Sequence, residues 1–290
     1  MPRGLDHIVH AVHDLDAAAD LYRRMGFTVG ARNKHPWGTH NHIVQLPGFF
    51  IELLTVGEPE KLGDDGFSKL FGRYNQDFLS RREGLSLLIL ESKDAAADKE
   101  AFAEAGISMS DVMKFEREGK RPDGSTVKVA FSLTFADDPG APDIRFCTCQ
   151  QHYPENFWNP AFQNHKNGAG AIAGVVIVAA KPADHRFFLR SFSGASEIEA
   201  NGVSIAAKTD RGELTVVDPV GFSRQFGTAP PPAKDGARLA AIRFEVSDLA
   251  AAEEVLRSAK VRFNTTGGQA VISGDAAFGA TIVFAEPARK

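Results

Sequence analysis

Cysteine, long apolar runs and surplus positive charge are all scarce in this chain, and each shortage excludes something. There are two cysteines in 290 residues, Cys147 and Cys149, spaced as CTC. On a strand both side chains point the same way, and a bridge between them would be strained. They read as free thiols in a reducing compartment, with a soft metal pair as the alternative. The apolar stretch from Val175 to Ala180 is far too short to cross a bilayer. The first six residues lack the apolar centre and cleavage site of an export signal, so a cytoplasmic location is expected. A formal charge of -4 gives no general reason to bind a nucleic-acid backbone. Zinc-finger, HExxH, phosphate-loop and GxSxG frames are missing. The turn after the first strand, HDLDA, has no glycine, which argues against a dinucleotide-binding fold.

Hydrophobic residues make up 43% and charged residues 24%, enough for one large domain or two ordinary ones. Leu5 to Val12 reads as a strand and Ala17 to Met25 as an amphipathic helix, with Asp14 or Asp16 as its cap and Gly26 at its stop. Phe27 to Ala31 begins a second strand. His42 to Leu46 and Phe49 to Val56 form a hairpin around Pro47 and Gly48. The unit is β-α-β-β-β. LDHIVHAVHDLDAAADLYRRM at Leu5 aligns without a gap to LAAIRFEVSDLAAAEEVLRSA at Leu239. Weaker copies start near residues 85 and 172. In the third copy, Val203 to Ala207, Leu214 to Val217 and Phe222 to Phe226 read as its later strands, the last within GFSRQFG after a turn. Arg224 there either binds an acid or faces water. Gly57 to Arg82 and Tyr153 to Gly170 interrupt the pattern, and the PPP-containing stretch from Thr228 to Gly236 reads as a linker. The expected fold is α+β, four βαβββ modules paired into two half-open barrels. The expected organisation is residues 1–151 as an N-terminal domain carrying the site, 152–170 as a connecting segment and 171–290 as a degenerate, mainly structural C-terminal domain. Which modules pair is left open.

The concave side of such a sheet is a natural small-molecule cavity. His7 and His10 fall on opposite faces of the first strand. The counterparts of His7 in the other copies are Leu87, Gly174 and Ala241, so the fold itself does not require histidine there. Glu52 lies in FFIELLT among large apolar residues, and an inward carboxylate is costly unless it is paired, hydrogen-bonded or bound to a metal. His152 ends the last strand of the second module and reaches either the cavity rim or a loop. His35, His40, His42, His165, Asn41 and Asn167 carry the same ambiguity.

LDHIVHAVHDLDAAADLYRRMGFTV, GTHNHIVQL, FFIELLTV, QHYPENFW and NHKNGAGAIAG together resemble a glyoxalase-like member of the vicinal oxygen chelate superfamily. The resemblance implies paired modules around a divalent metal, Zn, Fe, Mn or Ni, that chelates vicinal oxygens or steadies an enolate. It puts His7 and Glu52 on the two ligand positions of module one. Module two departs from it, with Leu87 at one position and no carboxylate in its last strand, and His152 stands as the substitute ligand. The implied activity is a metal-assisted lyase or isomerase acting on a small oxygen-rich molecule, with Glu52 either ligating or moving a proton. A metal-free small-molecule-binding protein and a dioxygenase are the alternatives. The expected partners are a small-molecule ligand and, as an open option, a second copy in a homodimer, with no nucleic acid and no membrane.

Overall fold

One β-α-β-β-β plan recurs four times in the computed structural model, which describes residues 2–120 and 126–287. Module one contains β1 (Leu5–Ala11), α1 (Leu15–Arg24), β2 (Asn33–Lys34), β3 (Thr39–Leu46) and β4 (Phe49–Val56). A π-helical turn (Ser68–Arg73) then leads into α2 (Tyr74–Leu79). Module two is β5 (Gly84–Glu91), α3 (Ala95–Glu104), β6 (Met113–Lys120), β7 (Thr126–Ala136) and β8 (Arg145–Gln151), followed by α4 (Pro154–Phe157). Module three is β9 (Ala169–Val178), α5 (Arg186–Ser193), β10 (Glu199–Ala200), β11 (Ser204–Lys208) and β12 (Glu213–Val217), followed by α6 (Pro219–Phe226). Module four is β13 (Arg238–Val246), α7 (Leu249–Ser258), β14 (Asn264–Thr266), β15 (Gln269–Ile272) and β16 (Thr281–Ala285). Asp14, Asp94 and Asp248 cap the first helices of modules one, two and four by accepting backbone N–H bonds.

Modules pair in chain order. The first sheet runs β2-β3-β4-β1-β5-β8-β7-β6 and the second β10-β11-β12-β9-β13-β16-β15-β14, the same order twice. Within a module the first and last strands are parallel, and the two first strands meet antiparallel at the sheet centre. The helix-covered faces of both sheets contribute to one apolar core that includes Ile8, Leu88, Val175 and Ile242. His10 belongs to that core. Its Nδ1 lies 3.0 Å from the Tyr22 hydroxyl and its Nε2 2.9 Å from the Phe278 carbonyl of module four, which it ties to module one. Burial pushes its pKa down to about 4, against the raising effect of the Phe278 carbonyl.

Two strand expectations are corrected. Residues 27–32 are not a strand: the Thr28 N–H donates to His165 Nδ1 instead of to a neighbouring strand, and Phe27 packs on Phe244 and Phe284 of the second sheet. Phe222 to Phe226 is helix, not strand. Asp218 accepts from the Gly221 N–H, Pro219 fills the first turn, and Gly227 ends the helix at φ 61°. Its Arg224 faces water. Phe222 and Phe226, one turn apart, pack against Val176, Val217, Ala241 and Val283 on the concave side of the second sheet, with Ala233 of the proline-rich stretch beside them.

Candidate functional site

β1 carries one residue too many for its partner. Leu5 lies opposite Leu90 and His7 opposite Ile89, so Asp6 is a β-bulge. The same shift occurs at Ser86 in β5 and at Ala173 and Ala240 in the second sheet, each time in the second register position of the module. The bulge changes which way the strand faces. Leu5 enters the shared core, whereas His7 and Val9 turn to the concave side. It also lets neighbouring residues touch: Asp6 Oδ1 is 2.5 Å from His7 Nδ1, and Asp6 Oδ2 accepts from the Gln151 amide at 2.9 Å. The His7 ring stacks on Phe50 at 4.2 Å between centroids. Asp6 and Phe50 thus fix the imidazole, and its Nε2, without a protein partner among the described residues, opens on the cavity.

Glu52 enters the same cavity from β4. It is 5% exposed, and its Oε1 accepts from the Asn41 amide at 2.5 Å. His35 Nε2 stands 3.7 Å from that oxygen, while His35 Nδ1 lies 2.8 Å from the Thr39 hydroxyl. Burial lowers the pKa of His35, opposed by Glu52 and helped by Arg117 and His40. The walls are aromatic. His35, Trp37 and Phe67 form a continuous stack at 4.7 and 5.3 Å, with the edge of Phe115 on Trp37 at 5.0 Å. Phe157 of α4 closes the other side between Phe50 and Phe131. The free space between these walls, open solvent at the mouth included, is about 760 Å³.

The structure brings His7 and Glu52 to one cavity and leaves His152 outside it. His152 is exposed, its Nε2 2.8 Å from the Ser132 hydroxyl. No group of three or more His, Cys, Asp or Glu side chains suited to a metal occurs among the described residues. The module symmetry explains why. The equivalent bulge at Ser86 puts Leu87 in the place that His7 holds in module one. The residue paired with Ile89 of β5, as Glu52 is with Val9 of β1, is Cys147. Leu87, Leu133, Cys147 and Cys149 form an apolar patch, and burial, aided by the Asp6 carboxylate, pushes both thiols well above their ordinary pKa. The residues present therefore do not fit a metal chelated from both modules; they supply one module's half of such a site.

The other histidines are engaged elsewhere. His40 Nε2 lies 2.9 Å from Glu58, His42 Nδ1 2.7 Å from the Gly30 carbonyl, and His165 holds the Gln45 carbonyl and the Thr28 N–H. Trp37, Phe67, Phe115 and Phe157, which line the cavity, and Asp6, which bonds His7, are the residues that the sequence reading does not single out. The histidine–aspartate neighbours in LDH and the aromatics four apart in GFSKLFG were the available signals.

The profile of the glyoxalase-like domain matches residues 5–192, more than half of the chain. No curated protein sequence matches it. Among solved structures, a hypothetical protein from Staphylococcus aureus aligns over 98% of this chain and 99% of its own, with TM-score 0.68 and 14% identity. A variant of 4-hydroxymandelate synthase from Streptomyces coelicolor aligns over 100% and 94%, with TM-score 0.60 and 12% identity. A Mn(II)-bound glyoxalase from Novosphingobium aromaticivorans aligns over 98% and 83%, with TM-score 0.56 and 9% identity. At these identities the likeness is one of fold.

Proposed function

The chain belongs to the glyoxalase-like family of the vicinal oxygen chelate superfamily, and from that premise we propose that it is a small-molecule-binding protein whose site is the concave face of the first sheet and which does not depend on two-module metal chelation. The carrying observation is the contrast across the cavity. His7 and Glu52 face it from module one, while Leu87 and Cys147 hold the corresponding places in module two inside an apolar patch. A ligand with a flat apolar body and one polar group suits such walls: the body lies among Trp37, Phe67 and Phe115, and the polar group reaches Glu52. The test is a fluorescence titration of Trp37, in a Trp158→Phe background, with small aromatic solutes and EDTA present. Saturable quenching that disappears in a cavity-filling Leu133→Phe variant is expected. Binding that EDTA abolishes would count against the proposal.

One observation favours a second reading, the metal-assisted lyase or isomerase. A carboxylate bonded to the far nitrogen of an imidazole is the usual support of a metal-ligating histidine, and Asp6 stands in that relation to His7. Under this reading His7 and Glu52 hold the ion, and the ligand or water fills its other positions. Elemental analysis of untagged protein, wild type against His7→Ala, decides it. Stoichiometric metal in the wild type that the variant loses would establish this second reading.

A further inference from the structure

Resting on the ligand-site reading above, we propose that the molecule taken by this cavity is an organic cation, a protonated or quaternary nitrogen on an aromatic or similarly bulky apolar skeleton. Glu52 carries the argument. It is buried, yet its one hydrogen bond is to a neutral amide, that of Asn41, and its Oε2 has no partner among the described residues. The nearest imidazole, His35, stands 3.7 Å from Oε1, beyond hydrogen-bond distance, and its Nδ1 lies against the Thr39 hydroxyl. The carboxylate behind His7, that of Asp6, is already bonded to His7 and Gln151. A ligand that displaces water from Glu52 must satisfy a carboxyl group in a low-dielectric site, and a neutral donor supplies only one hydrogen bond towards that. A cation supplies the opposite charge.

The walls point the same way. Phe67, Phe71 and Phe115 surround Trp37, whose own faces are stacked on His35 and Phe67, and the rings of these phenylalanines that line the space attract a desolvated cation. Lys34 and Arg117 also line the cavity, but both residues are exposed, so water and salt screen them at the mouth. Glu52 lies at the base, where screening is weakest.

The experiment compares three probes of one size by calorimetry and Trp37 fluorescence: benzyltrimethylammonium, its uncharged isostere neopentylbenzene, and phenylacetate. The cation is expected to bind about tenfold or more tightly than the isostere, the scale of a desolvated cation–π contact with an opposed charge. Phenylacetate is expected to bind most weakly. Glu52→Gln keeps an acceptor for Asn41, and it should cut the cation's affinity about tenfold while changing the isostere's by less than about twofold. If the isostere or phenylacetate binds as well as the cation, or if Glu52→Gln leaves the preference intact, the cation proposal fails and the ligand site stands. If no probe binds the wild type, the ligand-site reading falls and this proposal with it.

Discussion

In the first sheet the chain that follows β4 packs Phe71 and Tyr74 over one part of the concave face and leaves a cavity beside them, and in the second the chain that follows β12 lays two phenylalanines on it. Both segments leave the last strand of an odd-numbered module and both bring phenylalanines. The π-helical turn and α2 set Phe67 and Phe71 against Trp37 and Phe115, leaving a cavity between them and Glu52. α6 instead places Phe222 and Phe226 directly on Val176, Ala241 and Val283. The residues beneath differ to match. At the bulge, Asp6 and His7 in the first sheet correspond to Ala240 and Ala241 in module four, and at the paired last-strand position Glu52 corresponds to Val283. Over the small and apolar residues α6 packs flush on the sheet, whereas beside His7 and Glu52 the covering segment leaves a cavity. One module plan thus yields a cavity or a packed core, depending on a few side chains at its centre.

The largest effect should come from the packed side. Phe222→Ala removes a fully buried ring and is expected to cost about 3–5 kcal/mol in urea melts, with ligand affinity in the first sheet unchanged within about twofold. A mutant that keeps its stability would mean that the second concavity is not filled as described. Next is His10, on the core side of the strand that carries His7. Its folded pKa of about 4 lies below the ordinary 6.5. The unfolded chain therefore takes up the proton first as pH falls, and the stabilisation present above pH 6.5 is lost between 6.5 and 4. At about 1.4 kcal/mol per pH unit the loss is on the order of 3 kcal/mol. His10→Gln should flatten that part of the stability–pH profile; an unchanged profile would assign the acid sensitivity to other groups.

How much of this could be read from the sequence divides along physical lines. The four modules were readable because strand alternation and aspartate-capped helices repeat at matching positions, Leu5 with Leu239 and Asp14 with Asp248. The concave direction of His7 and Glu52 followed from strand period and from the apolar residues that replace His7 in the other copies. Asp6 was not readable, because a bulge adds a residue without disturbing composition, and alternation would have sent Asp6 to the face opposite His7. α6 was taken for a strand because two phenylalanines four apart in GFSRQFG fit either period; Asp218, Pro219 and Gly227 were the decisive caps. The wall from module two was missed because Phe115 lies on β6, an edge strand among charged residues with no buried pattern of its own.

Smaller effects separate the two faces further. Phe115→Ala should weaken benzyltrimethylammonium binding about tenfold, equal to about 1.4 kcal/mol, and lower stability by less than that, because the ring borders a cavity and is only half-buried. Titration and urea melts of the same variant check both halves. Arg224→Ala, on the solvent side of α6, should change stability by less than about 0.5 kcal/mol and leave binding untouched; a loss of binding would put a ligand contact on the second sheet.

The most direct test of the central claim, that the first concave face is a ligand site and the second its filled counterpart, is chemical-shift mapping of the labelled chain titrated with benzyltrimethylammonium. The account predicts saturable shifts confined to the neighbourhood of Trp37, Glu52, Phe115 and His7. Shifts clustered instead around Phe222, Ala241 and Val283 would contradict it.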